Sequence, residues 1–108
     1  MKQKIKFNLT QQSKIIEAME SYRRRLKGVN QNRFDLILEK VKAKQTAYDS
    51  EEMIYIVQAL RAFSKLLNLL HRSIECAQYR SLADYIEKKR IEFQAKHNPL
   101  NRLMAKAQ

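Results

Sequence analysis

A chain of 108 residues with one glycine, one proline and a lone cysteine, Cys76, is expected to form a single domain with a modest core and no internal disulfide. Lysine and arginine number 22 against 11 acidic residues, a net charge of +11, which points to a polyanionic partner: nucleic acid, an anionic membrane or an acidic protein face. One glycine excludes a glycine-rich phosphate loop, and the apolar stretch 53–70 is broken by Gln58, Arg61, Lys65 and Asn68, so it does not read as a membrane span.

The charge is unevenly spread. Residues 1–27 carry eight basic side chains and two acidic ones, a local +6, whereas residues 51–70 carry two of each. In the first ten residues Lys2, Lys4 and Lys6 alternate with Ile5, Phe7 and Leu9, a period-two pattern that predicts a short strand with lysines on one face and apolar groups on the other. A lone strand in a helical chain cannot satisfy its own backbone. It frays, pairs with a second copy or adds to a partner's sheet edge. Phe7 and Leu9 stand among lysines and asparagine rather than in the apolar core of a signal peptide, so the expected location is the cytoplasm.

The spacing predicts a first helix over 11–27, with Thr10 as its cap and Ile15, Met19, Tyr22 and Leu26 as its apolar stripe. Gly28 fits the left-handed position that ends such a helix. A second helix is predicted over 32–45, burying Phe34, Ile37, Leu38 and Val41. Asp49 and Glu52, three apart before an apolar run, give the clearest start signal, for a third helix lined by Met53, Ile56, Val57, Leu60, Phe63, Leu67 and Leu70. The fourth, 73–96, has Ile74, Ala77, Leu82, Tyr85, Ile86 and Phe93 as its expected inner face and Tyr79 at the margin. No glycine or proline separates it from the third. Asn98 and Pro99 open a short terminal helix bearing Leu100, Leu103 and Met104.

The expected fold is therefore mostly α: four main helices as two αα-hairpins, a short C-terminal helix and a short N-terminal strand. It makes one domain over 1–108, with residues 1–9 a basic arm and 98–108 a tail. Residues 15–22 align with 56–63 at an offset of 41, which suggests matching roles for the first and third helices, although helical periodicity by itself produces such matches.

The ingredients of catalysis are sparse. His71 and Glu75 share a helix face four residues apart, but no third metal ligand is signalled, and Cys76 reads as a small semi-buried side chain. The chain is expected to be no enzyme and to need no cofactor or metal. Arg23, Arg24 and Arg25 sweep about 300° of a helix and cannot face one phosphate together. Arg24 lies opposite the apolar stripe and is free to bind, with Lys14, Ser21 and Lys27 on the same side, while Arg23 and Arg25 flank the stripe and snorkel or pair with Glu20. Of the five tyrosines, Tyr48 is the one expected to be exposed.

The order strand, helix, turn, helix across residues 3–45 resembles the ribbon-helix-helix repressors. The resemblance implies that two chains pair their first strands into a ribbon whose polar face, here Lys4, Lys6 and Asn8, enters the major groove over Ile5, Phe7 and Leu9. It also implies an inter-helix turn at Gly28-Val29-Asn30 and a phosphate-binding helix start from Asn30 to Arg33. The expected function is that of a small basic nucleic-acid-associated regulator or accessory factor, as of a mobile element, acting through Lys4, Lys6, Asn8, Arg24 and Arg33 as a homodimer or higher oligomer. The alternative is an adaptor or inhibitor docking on an acidic partner surface. A basic helix lying on anionic lipid is a third reading, which competes with the core for the same apolar stripes.

Overall fold

The computed structural model describes residues 2–97, so the expected short helix at Leu100, Leu103 and Met104 lies outside the described residues. The chain runs β1 (Gln3–Lys4), α1 (Leu9–Arg23), α2 (Val29–Lys42), β2 (Ala47–Tyr48), α3 (Ser50–Leu69) and α4 (Ser73–His97). It is mostly α, with four main helices and one small sheet at the N-terminus.

The arm finds its pairing partner within the chain. β1 and β2 are antiparallel, with Gln3 opposite Tyr48 and Lys4 opposite Ala47, and the Ile5 N–H donates to the Thr46 carbonyl at 2.7 Å. The backbone demand of the arm, which fraying, a second copy or a partner's sheet edge could each answer, is met by the α2–α3 connection, so the strand gives no reason of its own for a second chain. The alternation holds as far as Phe7: Ile5 is buried and Phe7 packs on the core, while Lys4 and Lys6 are exposed. Leu9 departs from it. It is the first residue of α1 and stands 69% exposed.

The cap of α1 is Asn8 rather than Thr10. Its side chain accepts from the Gln11 N–H at 2.8 Å, and the Gln11 side chain accepts from the Asn8 N–H at 3.0 Å. At the other end α1 stops at Arg23, short of the expected boundary, with Arg25 and Leu26 N–H groups turning back to the carbonyls of Tyr22 and Arg23. Gly28, at φ +65°, opens α2 instead of closing α1, and its carbonyl accepts from Asn32 at 3.1 Å.

Two helices close on a left-handed residue that is not glycine. After α2 the Gln45 N–H reaches the Lys40 carbonyl and the Lys44 N–H that of Val41, with Lys44 at φ 59°. After α3 the Arg72 N–H reaches the Leu67 carbonyl and the His71 N–H that of Asn68, with His71 at φ 60°. Both are Schellman closures with a side chain in the left-handed position. His71 thus separates α3 from α4 where no breaker residue marks the boundary. His71→Gly is expected to raise stability by about 0.5–1 kcal/mol, the left-handed penalty less the entropy of the freer chain, read as a higher urea midpoint. A lowered midpoint would count against strain there.

The start of α3 is as the sequence signals. Asp49 and Glu52 form a reciprocal capping box, with bonds of 2.8 and 2.9 Å. Lys40, from the last turn of α2, reaches both Glu52 oxygens at 2.9 and 2.7 Å and the Ala47 carbonyl at 2.7 Å, and lies 4.8 Å over the Tyr48 ring. One ammonium ties α2, β2 and α3 together.

α3 is the central element, packed on α1 and along α4. It buries Met53, Ile56, Val57, Ala59, Leu60 and Leu67, and its buried Ser64 hydroxyl donates to the Arg61 carbonyl at 2.8 Å. The pairs matched at offset 41 share their burial: Ile15 with Ile56, Ala18 with Ala59 and Met19 with Leu60 are buried, and Tyr22 and Phe63 are half-buried. Leu70, expected on this face, is exposed because it caps the helix.

The inner face of α4 is rotated from expectation. Cys76, Tyr79, Leu82, Ala83, Ile86 and Phe93 are buried, whereas Ile74, Ala77 and Tyr85 are exposed. The small Cys76 and Ala83 permit close approach to α3, and Tyr79 then swings inward against Phe63, ring to ring at 4.8 Å.

Tyr48, expected outside, is fully buried beside Phe7, at 5.7 Å between ring centroids, because the β1–β2 pairing turns it inward. Its hydroxyl has no hydrogen-bond partner among the described residues. Burial, and then the nearby Glu52 charge, pushes its pKa up to about 12. The Tyr79 hydroxyl donates to Glu17 at 2.8 Å, and burial followed by that bond and the Glu17 charge holds it well above the ordinary phenol range. Both folded values exceed the unfolded value of 10.0, so the folded chain keeps protons that the unfolded chain loses. Their contribution is complete below pH 10 and declines as pH rises towards 12 and above. Urea midpoints are expected to fall across that window, and the Tyr48→Phe, Tyr79→Phe double variant to flatten the fall.

Candidate nucleic-acid interface

The antiparallel ribbon turns every second side chain of the arm outward. Gln3, Ile5 and Tyr48 share the inner face, and Lys4, Lys6 and Ala47 the outer. Lys44, held out by its left-handed backbone, joins Lys6 at the mouth of a small cleft with Phe7, Gln12 and Gln45. Gln12 closes the cleft floor by donating to the Val41 carbonyl at 3.0 Å. Among the described residues Lys2, Lys4, Lys6 and Lys44 have no ion-pair partner, and all four are exposed. This end of the fold is a cluster of free ammonium groups on a fixed ribbon.

The other expected contact residues stand elsewhere or are engaged. Asn8 is exposed, but its carboxamide oxygen caps α1. Arg24 lies past the far end of α1, about 24 Å along the helix axis from Asn8. It is exposed, in a groove that also holds Glu20, Asp35 and Glu39, so its charge is offset locally. Arg33, on α2, pairs with Glu51 at 2.9 Å. Both partners are more than half exposed, and such a pair opens readily to another anion. Of the five expected residues, Lys4, Lys6 and Asn8 stand together at the N-terminal end of α1 and Arg24 past its other end, while Arg33 is held on α2 against Glu51 in the first turn of α3.

The three successive arginines take different roles. Arg23 forks onto Asp35 at 2.5 and 3.1 Å, and that guanidinium holds the Asp35 carboxyl below its usual range. It pairs with α2 rather than with Glu20, which lies 3.4 Å from Lys42. Arg25 sits 5.6 Å from the Tyr22 ring centre and, with Arg61 and Lys65 of α3, lines a groove of about 440 Å³ that has no carboxylate in its wall among the described residues. Arg61 keeps a loose contact with Asp84 at 3.7 Å. This second cationic groove and Lys44 were not singled out from the sequence. The spacing of Arg61 and Lys65, four apart on the polar side of the third helix, carries the signal for the groove.

Lys14, expected to share a basic face with Arg24, has its ammonium 5.2 Å over the Tyr79 ring. His71 and Glu75 do not converge as ligands, since Glu75 takes the Arg72 guanidinium. Cys76 is buried, with the Arg80 guanidinium 3.7 Å from its sulfur. Among the described residues no group of three or more His, Cys, Asp or Glu is placed to hold a metal, and no helix is long and apolar enough to cross a membrane.

Comparison with protein-family models, with curated proteins and with solved structures gives no match to this chain.

Proposed function

We propose that the chain is a non-enzymatic, cytoplasmic nucleic-acid-binding protein, a regulator or accessory factor that holds the phosphate backbone with its ribbon end. The observation that carries this reading is the cluster of Lys4, Lys6 and Lys44 beside Lys2, exposed and without ion-pair partners among the described residues. Cations of this kind release condensed counterions when they meet phosphate, and that release supplies most of the affinity. A two-stranded ribbon also fits a major groove. In the ribbon-helix-helix mode the two strands come from two chains, whereas here β1 and β2 form the ribbon within one. Arg33 adds a contact if it exchanges Glu51 for phosphate, and Arg24, exposed past the far end of α1, adds another where the bound strand runs that far.

Fluorescence anisotropy of labelled duplex and single-stranded oligonucleotides tests the proposal. Binding at low salt is expected to weaken on the order of 100-fold between about 50 and 200 mM salt if four phosphates are neutralised. Absence of binding to either probe at low salt overturns it.

A further inference from the structure

We propose that the groove between α1 and α4 is a docking seat for an acidic amphipathic helix of a partner protein. The groove holds about 800 Å³ and is walled by the N-terminal half of α1, including Lys14, and by Ile74, Ala77, Ser81, Leu82 and Tyr85 of α4. α4 carries two stripes at helical spacing. One, through Cys76, Tyr79, Ala83 and Ile86, is covered by the core. The other, through Ile74, Ala77, Ser81 and Tyr85, is left uncovered among the described residues, and Ile74 is 77% exposed. The small Ala77 and Ser81 at its centre leave room for a helix to approach closely, and Ile74 and Tyr85 stand at its two ends as apolar anchors.

Charge selects the occupant. Among the described residues no carboxylate lines the groove, Lys14 stands in the α1 wall, and the Lys89 ammonium lies 5.7 Å from the centre of the Tyr85 ring. Glu17, one turn beyond Lys14, accepts the Tyr79 hydroxyl. A second copy would bring a net +11 against +11. Residues 98–108 carry Arg102 and Lys106 and no acidic side chain. Both set like charge against like charge, whereas a helix with leucines on one face and glutamates beside them meets apolar floor with apolar stripe and lysine with carboxylate. Lys4, Lys6 and Lys44 do not line this groove, which meets the ribbon end only at Asn8.

The probe is a synthetic peptide of about 18 residues, five helical turns, with leucines on one face and flanking glutamates, compared with a twin carrying lysines in place of the glutamates. Binding to the full chain is followed by anisotropy and by amide chemical shifts. The glutamate peptide is expected to shift residues 10–14 and 74–85 and to bind at least about tenfold tighter than its twin. Ala77→Gln, a neutral change at an exposed helical site, is expected to weaken it about tenfold, while Lys4→Gln leaves it unchanged. Lys14→Glu, which needs no space in the groove, is expected to narrow or invert the preference between the two peptides. Equal binding of both peptides, shifts outside the groove, or indifference to both Ala77→Gln and Lys14→Glu overturns the proposal. Two further outcomes also overturn it. Groove shifts that depend on protein concentration without peptide assign the seat to a second copy, and groove shifts produced by Leu103→Asp assign it to the chain's own C-terminal segment.

Discussion

Phe34→Ala is expected to lower the stability of the fold by about 3–5 kcal/mol, a large part of what a domain of this size has. Phe34 is wholly buried on α2, with the Tyr22 ring of α1 at 5.7 Å and the Tyr55 ring of α3 at 6.2 Å. It is the point at which three helices meet through aromatic rings, and alanine leaves a void there that the backbone cannot close without shifting the helices. Tyr22 and Tyr55 are only half-buried, so they are the side chains able to lean into the gap. Phe34→Leu, which keeps most of the volume, is expected to lose less than half as much. Urea unfolding followed by far-ultraviolet circular dichroism checks both. A midpoint for the alanine variant within error of the parent would mean that this aromatic junction does not hold α2 in place.

The second large effect is on binding. The triple variant Lys4→Gln, Lys6→Gln, Lys44→Gln is expected to reduce the salt dependence of nucleic-acid affinity by roughly three units of log–log slope, about one per lost phosphate contact. Low-salt affinity should fall with it by orders of magnitude. All three side chains are exposed and outside the core, so the thermal midpoint should stay close to that of the parent. The matching arginine variant keeps the charge and should keep the slope. If the glutamine variant binds with the parent's slope, the ribbon end is not the contact surface, and the cationic groove of Arg25, Arg61 and Lys65 becomes the next candidate. Arg61→Gln with Lys65→Gln separates the two surfaces by the same measurement.

Local signals were legible where the interaction itself is local. The capping box of Asp49 and Glu52 needs only residues three apart, and it stands as read. The buried stripe of α2 needs only helical periodicity, and Phe34, Ile37, Leu38 and Val41 are all inside. Gly28 illustrates the limit. Its freedom at positive φ serves a helix end or a helix start equally, and the Arg23–Asp35 fork between α1 and α2 accompanies the second use. His71 and Lys44 show the converse, since a Schellman closure offers enough backbone hydrogen bonds to hold a side chain in the left-handed region.

The amino-acid order alone determined that the protein is helical, basic and led by an alternating arm, because periodicity, propensity and net charge are properties of neighbours and of sums. Only the tertiary structure decided that β1 pairs with β2, that Tyr48 goes inside, and that α4 turns Tyr79 inward and leaves Ile74 in the open groove. Those outcomes depend on which surfaces meet across long stretches of chain. A strand cannot encode whose edge completes its hydrogen bonds, and a helix with two apolar stripes cannot encode which of them its neighbour will cover.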